Sequence, residues 1–168
     1  AQNKKSFLRD GNILYVDSNY NEAEIKYRKS LEKDQDYFNA SFNLADAIYK
    51  QKRYTEASAI FKALINDAPN TNTLMQVYHN LGNSLFQEQK LEEAINAYKD
   101  ALRINPHDNE TRHNLALAKE QKDNKQKEEN QEQKEEKQEQ KEENQEQKEE
   151  NQEQKEENQE QKEENQEQ

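Results

Sequence analysis

Apolar side chains recur every three or four positions through the first 118 residues of the chain. That spacing places them on one face of an α-helix. Short polar stretches interrupt the pattern and divide it into six amphipathic segments. The pattern predicts no strand and six helices, over residues 4–16, 20–33, 38–51, 54–66, 74–88 and 91–103. A seventh segment with the same spacing follows Pro106, with Leu115 and Ala116 at its centre.

The six predicted helices form three similar pairs. The units are about 34 residues long and start at Lys4, Phe38 and Met75, with three residues inserted before the third unit. Small residues at two fixed positions allow the paired helices to approach closely, and an aromatic residue fills the space between one unit and the next. The small residues are Gly11, Ala45 and Gly82 at position 8, and Ala23, Ala57 and Ala94 at position 20; the aromatic residues at position 24 are Tyr27, Phe61 and Tyr98.

This register resembles that of the tetratricopeptide-repeat (TPR) family over most of the chain. The resemblance implies an all-α solenoid of three helix-turn-helix repeats, at about 4–37, 38–71 and 75–108, within a domain of residues 1–124. Residues 107–123 are expected to form a capping helix that covers the open end of the stack. Residues 125–168 form a separate low-complexity tail.

In the family, positions 2, 5, 9 and 12 of each first helix face a concave groove where partner segments lie, with position 6 nearby. These positions predict a partner-binding groove lined by Lys5, Leu8, Asn12, Tyr15, Asn39, Phe42, Asn43, Asp46, Tyr49, Gln76, His79, Asn80, Asn83 and Phe86. An asparagine side chain offers a donor and an acceptor, so it can bracket a peptide bond of a bound chain. The alternative is that the asparagines and aromatic residues serve helix packing alone.

The groove lacks the cations of one well-known TPR class. Chaperone-type TPR domains that hold a C-terminal carboxylate resemble this chain at Asn12 and Asn43. Their clamp also uses lysine or arginine, where this chain has Leu8, Gln76 and Asn80. Recognition of an acidic chain terminus is therefore not expected.

The charge of the chain lies in its tail. From residue 127 to residue 168 the sequence is six copies of KEENQEQ with a single substitution, Lys137, and the chain as a whole carries a formal net charge of −11. A coiled coil needs apolar residues at two positions per heptad, and the tail has none. Glutamates also recur four residues apart, which disfavours a helix. We therefore expect a disordered or partly helical tail that keeps the protein soluble or acts as a spacer.

No pattern of catalytic residues is recognisable. The chain contains no Cys and only two Gly, so a thiolate site and a glycine-rich phosphate loop are excluded. His79 and His113 share position 5 of consecutive units and would lie near each other, but two imidazoles do not complete a zinc site. Basic residues are scattered among acids, unlike the basic patch of a nucleic-acid-binding protein. We expect a non-enzymatic protein without cofactor or metal, with protein partners and no nucleic acid.

A narrower resemblance is carried by the segments RDGNILYVDSNYNEAEIKYRKSLE and YHNLGNSLFQEQKLEEAINAYKDALRINPHDNETRHNLALAKEQ, followed by the Gln/Glu/Lys tail. These are similar to the TPR component of the bacterial aerotolerance (Bat) operon, of the BatC or BatE type. The resemblance implies a periplasmic protein beside membrane-anchored von Willebrand A-domain partners. The Ala-Gln start is compatible with removal of a signal peptide. The alternatives are a self-assembling structural protein, a periplasmic chaperone and a cytoplasmic location.

Overall fold

The repeat body consists of antiparallel helix pairs. A computed structural model of the chain describes the backbone of residues 2–164 and the side chains of residues 2–152 and 154. No strand occurs within residues 2–164. The helices are α1 (Lys4–Val16), α2 (Tyr20–Lys33), α3 (Phe38–Lys50), α4 (Tyr54–Leu64), α5 (Thr71–Gln87), α6 (Leu91–Ile104) and α7 (Asn109–Glu164), with a 3₁₀ turn at Ile65–Asp67 after α4. The predicted all-α architecture of three repeats and a further helix is confirmed.

The same tight turn joins the two helices of every repeat. Ser18, Lys52 and Gln89 adopt positive φ angles of 59°, 63° and 62°. In each case the backbone N–H of the next residue donates to the carbonyl group five residues before it, as Asn19 does to Leu14 at 2.9 Å. This left-handed cap satisfies carbonyl groups at the end of the first helix. It also returns the chain directly into the second helix, so the two helices run antiparallel.

The two helices of the first and third repeats meet at a glycine and a tyrosine. A Cβ added at Gly82 would lie 2.5 Å from Cε1 of Tyr98, and one added at Gly11 would lie 2.5 Å from Cε1 of Tyr27. Both rings are about 1% exposed. Neither glycine has a positive φ, so glycine is needed here for the close approach of the ring rather than for backbone conformation. The middle repeat has Ala45 and Phe61 at these positions, and both are fully buried.

The core runs along the repeats between their helices. Its buried members include the three alanines at position 20, the three aromatic residues at position 24, and Ile48 and Val77. Outside this core, Glu24 joins the first two repeats: it accepts from Arg53 Nη1 at 2.7 Å and from Gln51 Nε2 at 2.8 Å. These hydrogen bonds and the neighbouring arginines lower the pKa of Glu24 against the opposing effect of its burial, which is the largest single influence.

Two helix boundaries differ by more than one residue from those predicted. α5 begins at Thr71 rather than at residue 74, because Asn70 caps it by accepting from the Thr73 backbone N–H at 2.9 Å. The three inserted residues are therefore absorbed as an additional helical turn and not as a loop. α4 ends at Leu64, two residues early, and continues as the 3₁₀ turn.

The start of α7 covers the third repeat with a different face from the one predicted. The repeat register places Leu115 and Ala116 at the packing positions, but Ala116 is exposed. The buried residues are Thr111 and Ala118, with Leu115 half-buried between them. The reason is that position 8 of a repeat packs against a second helix of the same unit, and within residues 2–164 no second helix follows α7.

The tail is helical to Glu164, beyond the disordered or partly helical state expected from its charges. The chain divides into two units, residues 1–122 and 123–168. Within the tail, Gln131 donates to Glu135 at 3.0 Å and Gln138 donates to Glu142 at 3.1 Å. These i,i+4 hydrogen bonds stabilise a helix and offset the repulsion between glutamates. The prediction from the sequence was based on pairs of charged residues alone and did not include these glutamine–glutamate hydrogen bonds.

Replacing Gly82 by Ala is expected to destabilise the protein by about 1 kcal/mol or more. Alanine gains about 1 kcal/mol in helix propensity, but crowding a packed ring costs roughly 1–3 kcal/mol, and the Tyr98 hydroxyl bond to Asn83 at 2.8 Å restrains the ring. Urea unfolding measures the change. Adding Tyr98→Phe should recover part of the loss, since this restores the Ala-Phe pair of the middle repeat. Unchanged or increased stability in Gly82→Ala would contradict this packing.

The tail helix has a direct test in the full chain. We expect the Cα chemical shifts of residues 127–150 to deviate from random-coil values in the helical direction at neutral pH, because the glutamine–glutamate pairs recur in every heptad. Random-coil shifts throughout these residues would show that glutamate repulsion prevails.

Candidate functional site

Three adjoining cavities open on the side of the repeat body formed by the first helix of each pair. Their volumes are about 340, 230 and 380 Å³. Asp46 lines all three, Tyr15 lines the first two, and His79 and Asn80 line the first and third. We call this surface, built from α1, α3, α5 and residues 108–110, the groove.

Ten of the fourteen residues predicted to line the groove surround these cavities. They are Asn12, Tyr15, Phe42, Asn43, Asp46, Tyr49, Gln76, His79, Asn80 and Asn83. Of the other four, Lys5 and Asn39 are exposed near the starts of their helices. Leu8 and Phe86 are half-buried and pack against the core. The structure therefore brings together the central positions of each first helix and leaves the outer ones apart.

Sequence reasoning missed several groove residues. Val16 and Lys50 follow the predicted positions by one residue, and Asp108 and Glu110 belong to the start of the capping segment. The last two were omitted because the groove positions were applied only to the three complete repeats. The signal was available, since residues 109–116 continue the same repeat register.

Asparagine side chains connect each repeat to the next across the groove. Asn43 donates to Oδ1 of Asn12 at 2.7 Å, Asn80 donates to Oδ1 of Asp46 at 3.0 Å, and Asn114 donates to Oδ1 of Asn83 at 3.0 Å. In every pair the position-6 asparagine of one unit donates to the position-9 residue of the unit before it. We refer to these three hydrogen bonds as the asparagine ladder. They give the asparagines a structural role beside any binding role.

The middle rung of the ladder differs from the outer two. The Tyr27 hydroxyl donates to Oδ1 of Asn12 at 2.9 Å, and the Tyr98 hydroxyl donates to Oδ1 of Asn83 at 2.8 Å. The middle repeat has Phe61 in place of the tyrosine and Asp46 in place of the asparagine. Asp46 is therefore an ionisable acid where its equivalents are neutral amides, and it lacks the hydroxyl donor that both equivalents have.

His79 belongs to a hydrogen-bonded chain at the wall of the groove. Its Nδ1 lies 2.6 Å from the Thr111 hydroxyl, which donates to Asp108. Its Nε2 lies 3.0 Å from Nδ2 of Asn83. A neutral ring that donates through Nδ1 and accepts at Nε2 satisfies every member. The predicted proximity of His79 to His113 is wrong: Thr111 occupies that place, and His113 is exposed.

Burial dominates the electrostatics of Asp46. Desolvation raises the pKa of this carboxyl group to about 7, and Lys50, one turn along α3, lowers it only in part. Burial raises the pKa of Tyr15 and, to about 12, the pKa of Tyr27, and in both the Asp46 charge adds to the effect. The groove thus concentrates negative potential at one carboxylate among aromatic rings.

The described residues contain no group of three or more His, Asp or Glu side chains placed to hold a metal ion. Within the same residues, no helix is long and apolar enough to span a membrane.

Two family models match consecutive parts of the repeat body. A model described as "Tetratricopeptide repeat" matches residues 17–76, and one described as "TPR repeat" matches residues 76–123. A curated relative, the protein O-mannosyl-transferase Tmtc3 of Drosophila melanogaster, is 28% identical over 117 residues. The match covers 69% of this chain and 12% of that protein. Because the match covers so little of that protein, it says nothing about mannosyl transfer by this chain.

Solved structures have the same fold. The first TPR of Spaghetti (RPAP3) bound to the HSP90 peptide SRMEEVD superposes with a TM-score of 0.65 at 25% identity, covering 71% of this chain and 92% of that one. MamA of Desulfovibrio magneticus RS-1 has a TM-score of 0.68 at 23% identity, covering 72% of this chain and 67% of that one. Together with the two family models, which span the repeats from α2 to the start of α7, these likenesses show that the chain belongs to the tetratricopeptide-repeat family.

Proposed function

We propose that this protein is a non-enzymatic adaptor that holds a segment of a partner protein in the groove. The observation that carries the proposal is the pair of free polar groups beside the second cavity. Asn12 uses its carbonyl in the ladder and Asn43 uses its amide. Among the described residues, Nδ2 of Asn12 and Oδ1 of Asn43 have no hydrogen-bond partner. One donor and one acceptor side by side match the carbonyl and N–H of an extended peptide.

The structural neighbours support peptide binding by this fold. The first TPR of Spaghetti (RPAP3) is described with an HSP90 peptide, and the second TPR domain of human RPAP3 with an HSP70 peptide. Both of those peptides, SRMEEVD and SGPTIEEVD, end in acidic residues. The groove of this chain has Leu8, Gln76 and Asn80 where a carboxylate clamp needs cations, and it has Asp46 at its centre. We therefore propose a partner segment that is not an acidic chain terminus.

The resemblance to the Bat-operon component supports a narrower proposal. We propose that the protein works in the periplasm, beside membrane-anchored von Willebrand A-domain proteins, in a complex linked to aerotolerance or envelope stress. The chain has no Cys, and its described residues hold no metal-ligand cluster. Its part in such tolerance would accordingly be to assemble other proteins.

One observation favours self-assembly as a second candidate function. Ile13, Val16 and Ile25 of the first repeat are 57%, 81% and 44% exposed. Apolar side chains at the end of a solenoid can stack against another copy. The net charge of −11 opposes this association, because like-charged copies repel.

Sedimentation velocity of the full chain separates the two candidates. We expect a single species at the monomer mass of 20.0 kDa over a hundredfold range of concentration. A weight-average mass that rises with concentration, and that falls back when Val16 is replaced by Ser, would favour self-assembly.

Replacing Asn12, Asn43 and Asn80 together by Ala should weaken partner binding at least tenfold, because it removes the groups that bracket a bound backbone. The measurement is affinity capture from solubilised membranes of the source organism, with quantitative mass spectrometry of the recovered proteins. The same change breaks two rungs of the asparagine ladder, so helical ellipticity and thermal unfolding must be recorded in parallel.

The matched control replaces three exposed asparagines on the second helices and the adjoining turn, Asn21, Asn66 and Asn96, by Ala. This variant has the same composition change and should recover partners as the wild type does. Equal recovery by both triple variants would place the binding surface outside the groove.

A further inference from the structure

The middle of the groove contains an acceptor without a partner. Asp46 is half-buried, and its Oδ1 accepts from Asn80 at 3.0 Å. Among the residues that the structure describes, no hydrogen bond or ion pair reaches its Oδ2. In the outer rungs the single oxygen of Asn12 and of Asn83 accepts twice, from the next asparagine and from a tyrosine hydroxyl, whereas Asp46 has two oxygens and one donor. With Phe61 in the tyrosine position, nothing replaces that donor.

A buried carboxylate with an open lone pair is costly unless a donor or a cation meets it. The chain's own nearest cation does not do so. Lys50 lines the same cavity and is exposed, and it forms no ion pair with Asp46. A donor from a bound partner would reach Oδ2 through the cavities that open on Asp46.

The walls of these cavities suit an aliphatic stem that ends in a positive charge. The first cavity is lined by Tyr15 and Tyr49, whose rings offer apolar surface and an attractive face to a cation. Glu110 and Asp108 stand at the rim of the third cavity and add negative charge. A cavity of about 340 Å³ lies within the range of about 300–1,000 Å³ in which proteins hold small groups.

We propose that the groove selects a partner segment carrying a lysine or arginine side chain, whose cationic head binds Oδ2 of Asp46 between Tyr15 and Tyr49. This inference rests on the proposed adaptor function and specifies its partner. Charge complementarity at the groove itself supports the choice, because Asp46, Asp108 and Glu110 line these cavities and Lys50 is the one lysine among the lining residues. The chain's own tail is a poor occupant, since each KEENQEQ copy brings three glutamates for one lysine.

The test begins with a random twelve-residue peptide library displayed on phage and selected against the full chain. The selected peptides should share a Lys or Arg at one position. The same selection is made on Asp46→Asn, which places at position 9 the amide that the outer repeats have. That variant keeps an acceptor for Asn80 but replaces the charged Oδ2 by an amide donor, so its peptides should show no enrichment of basic residues.

A selected peptide then gives the quantitative test. By isothermal titration calorimetry at pH 8, Asp46→Asn should weaken its affinity at least tenfold, and so should norleucine in place of the basic residue. The two changes together should cost no more than either alone, since they remove the same contact. Asp100→Asn, on the second helix α6, is the matched control and should leave the affinity unchanged. Lys50→Met should raise it, because a competing cation is removed.

Proton linkage provides a second readout. Because burial raises the pKa of Asp46 to about 7, the wild-type affinity should rise between pH 6 and pH 8 as the carboxyl group ionises. Other titratable groups face the same cavities: Tyr15 from α1, Lys50 and Tyr49 from α3, His79 from α5, and Asp108 and Glu110 at the start of α7. The Asp46→Asn variant retains all of these groups. Any pH dependence of the affinity that is lost in this variant is therefore due to Asp46.

Folding of the variant is checked by thermal unfolding. The folded-state pKa of Asp46 lies above its ordinary value of 3.8, so the folded protein binds this proton more tightly than the unfolded chain. The contribution of Asp46 to stability therefore falls as the pH rises from about 4 to about 7. Asp46→Asn should melt at a higher temperature than the wild type at pH 8, with a smaller difference at pH 5.

The outcomes separate this inference from the proposed function. If the selected peptides lose affinity in the Asn12/Asn43/Asn80 triple variant but show no basic residue, the groove binds peptides and the cation inference is wrong. If no peptide depends on the groove, both are wrong. If acetylation of the peptide N-terminus abolishes binding while norleucine is tolerated, the groove binds a terminal amine, which also overturns the proposal.

Discussion

The close contact between a small residue on the first helix and an aromatic ring on the second determines the geometry of each repeat. In the outer repeats Gly11 and Gly82 receive the rings of Tyr27 and Tyr98 so closely that a single methyl group would not fit. This contact sets the distance between the paired helices. The left-handed turns at Ser18, Lys52 and Gln89 set their direction. With both fixed, the first helices align side by side, and their position-9 residues face one surface.

The same tyrosines connect the core to the groove. Each ring packs in the core against the glycine at position 8, and its hydroxyl donates to the position-9 asparagine of the ladder. The residues at positions 8, 9 and 24 therefore depend on one another. The middle repeat changes all three residues together, to Ala45, Asp46 and Phe61. The larger Ala45 accompanies a ring without a hydroxyl, and Asp46 has a second oxygen, Oδ2, where Asn12 and Asn83 have an amide nitrogen. These three changes make the middle rung ionisable between two neutral rungs.

The features that can be predicted from the sequence are those that depend on residue positions within one repeat. Helix ends, the small residues and the central groove positions all follow from the 34-residue register, because they concern residues three or four apart on one helix. The sequence does not predict which residues of one helix face its neighbour. Asn114 keeps its repeat position against Asn83, but His79 contacts Thr111 rather than His113, because residues 111 and 113 lie about 200° apart around α7. The early start of α5 depends on a cap at Asn70, five residues before the third unit starts at Met75.

Partner binding in the groove is most directly tested by backbone amide NMR of the full chain with a selected peptide. If a peptide is held as described, its addition should shift the amides of α1, α3 and α5, with the largest changes around Asn12, Asp46 and His79. The amides of α2, α4 and α6 should shift little. The largest shifts on the second helices, or along residues 123–164, would place the binding surface elsewhere and contradict the assignment of the groove.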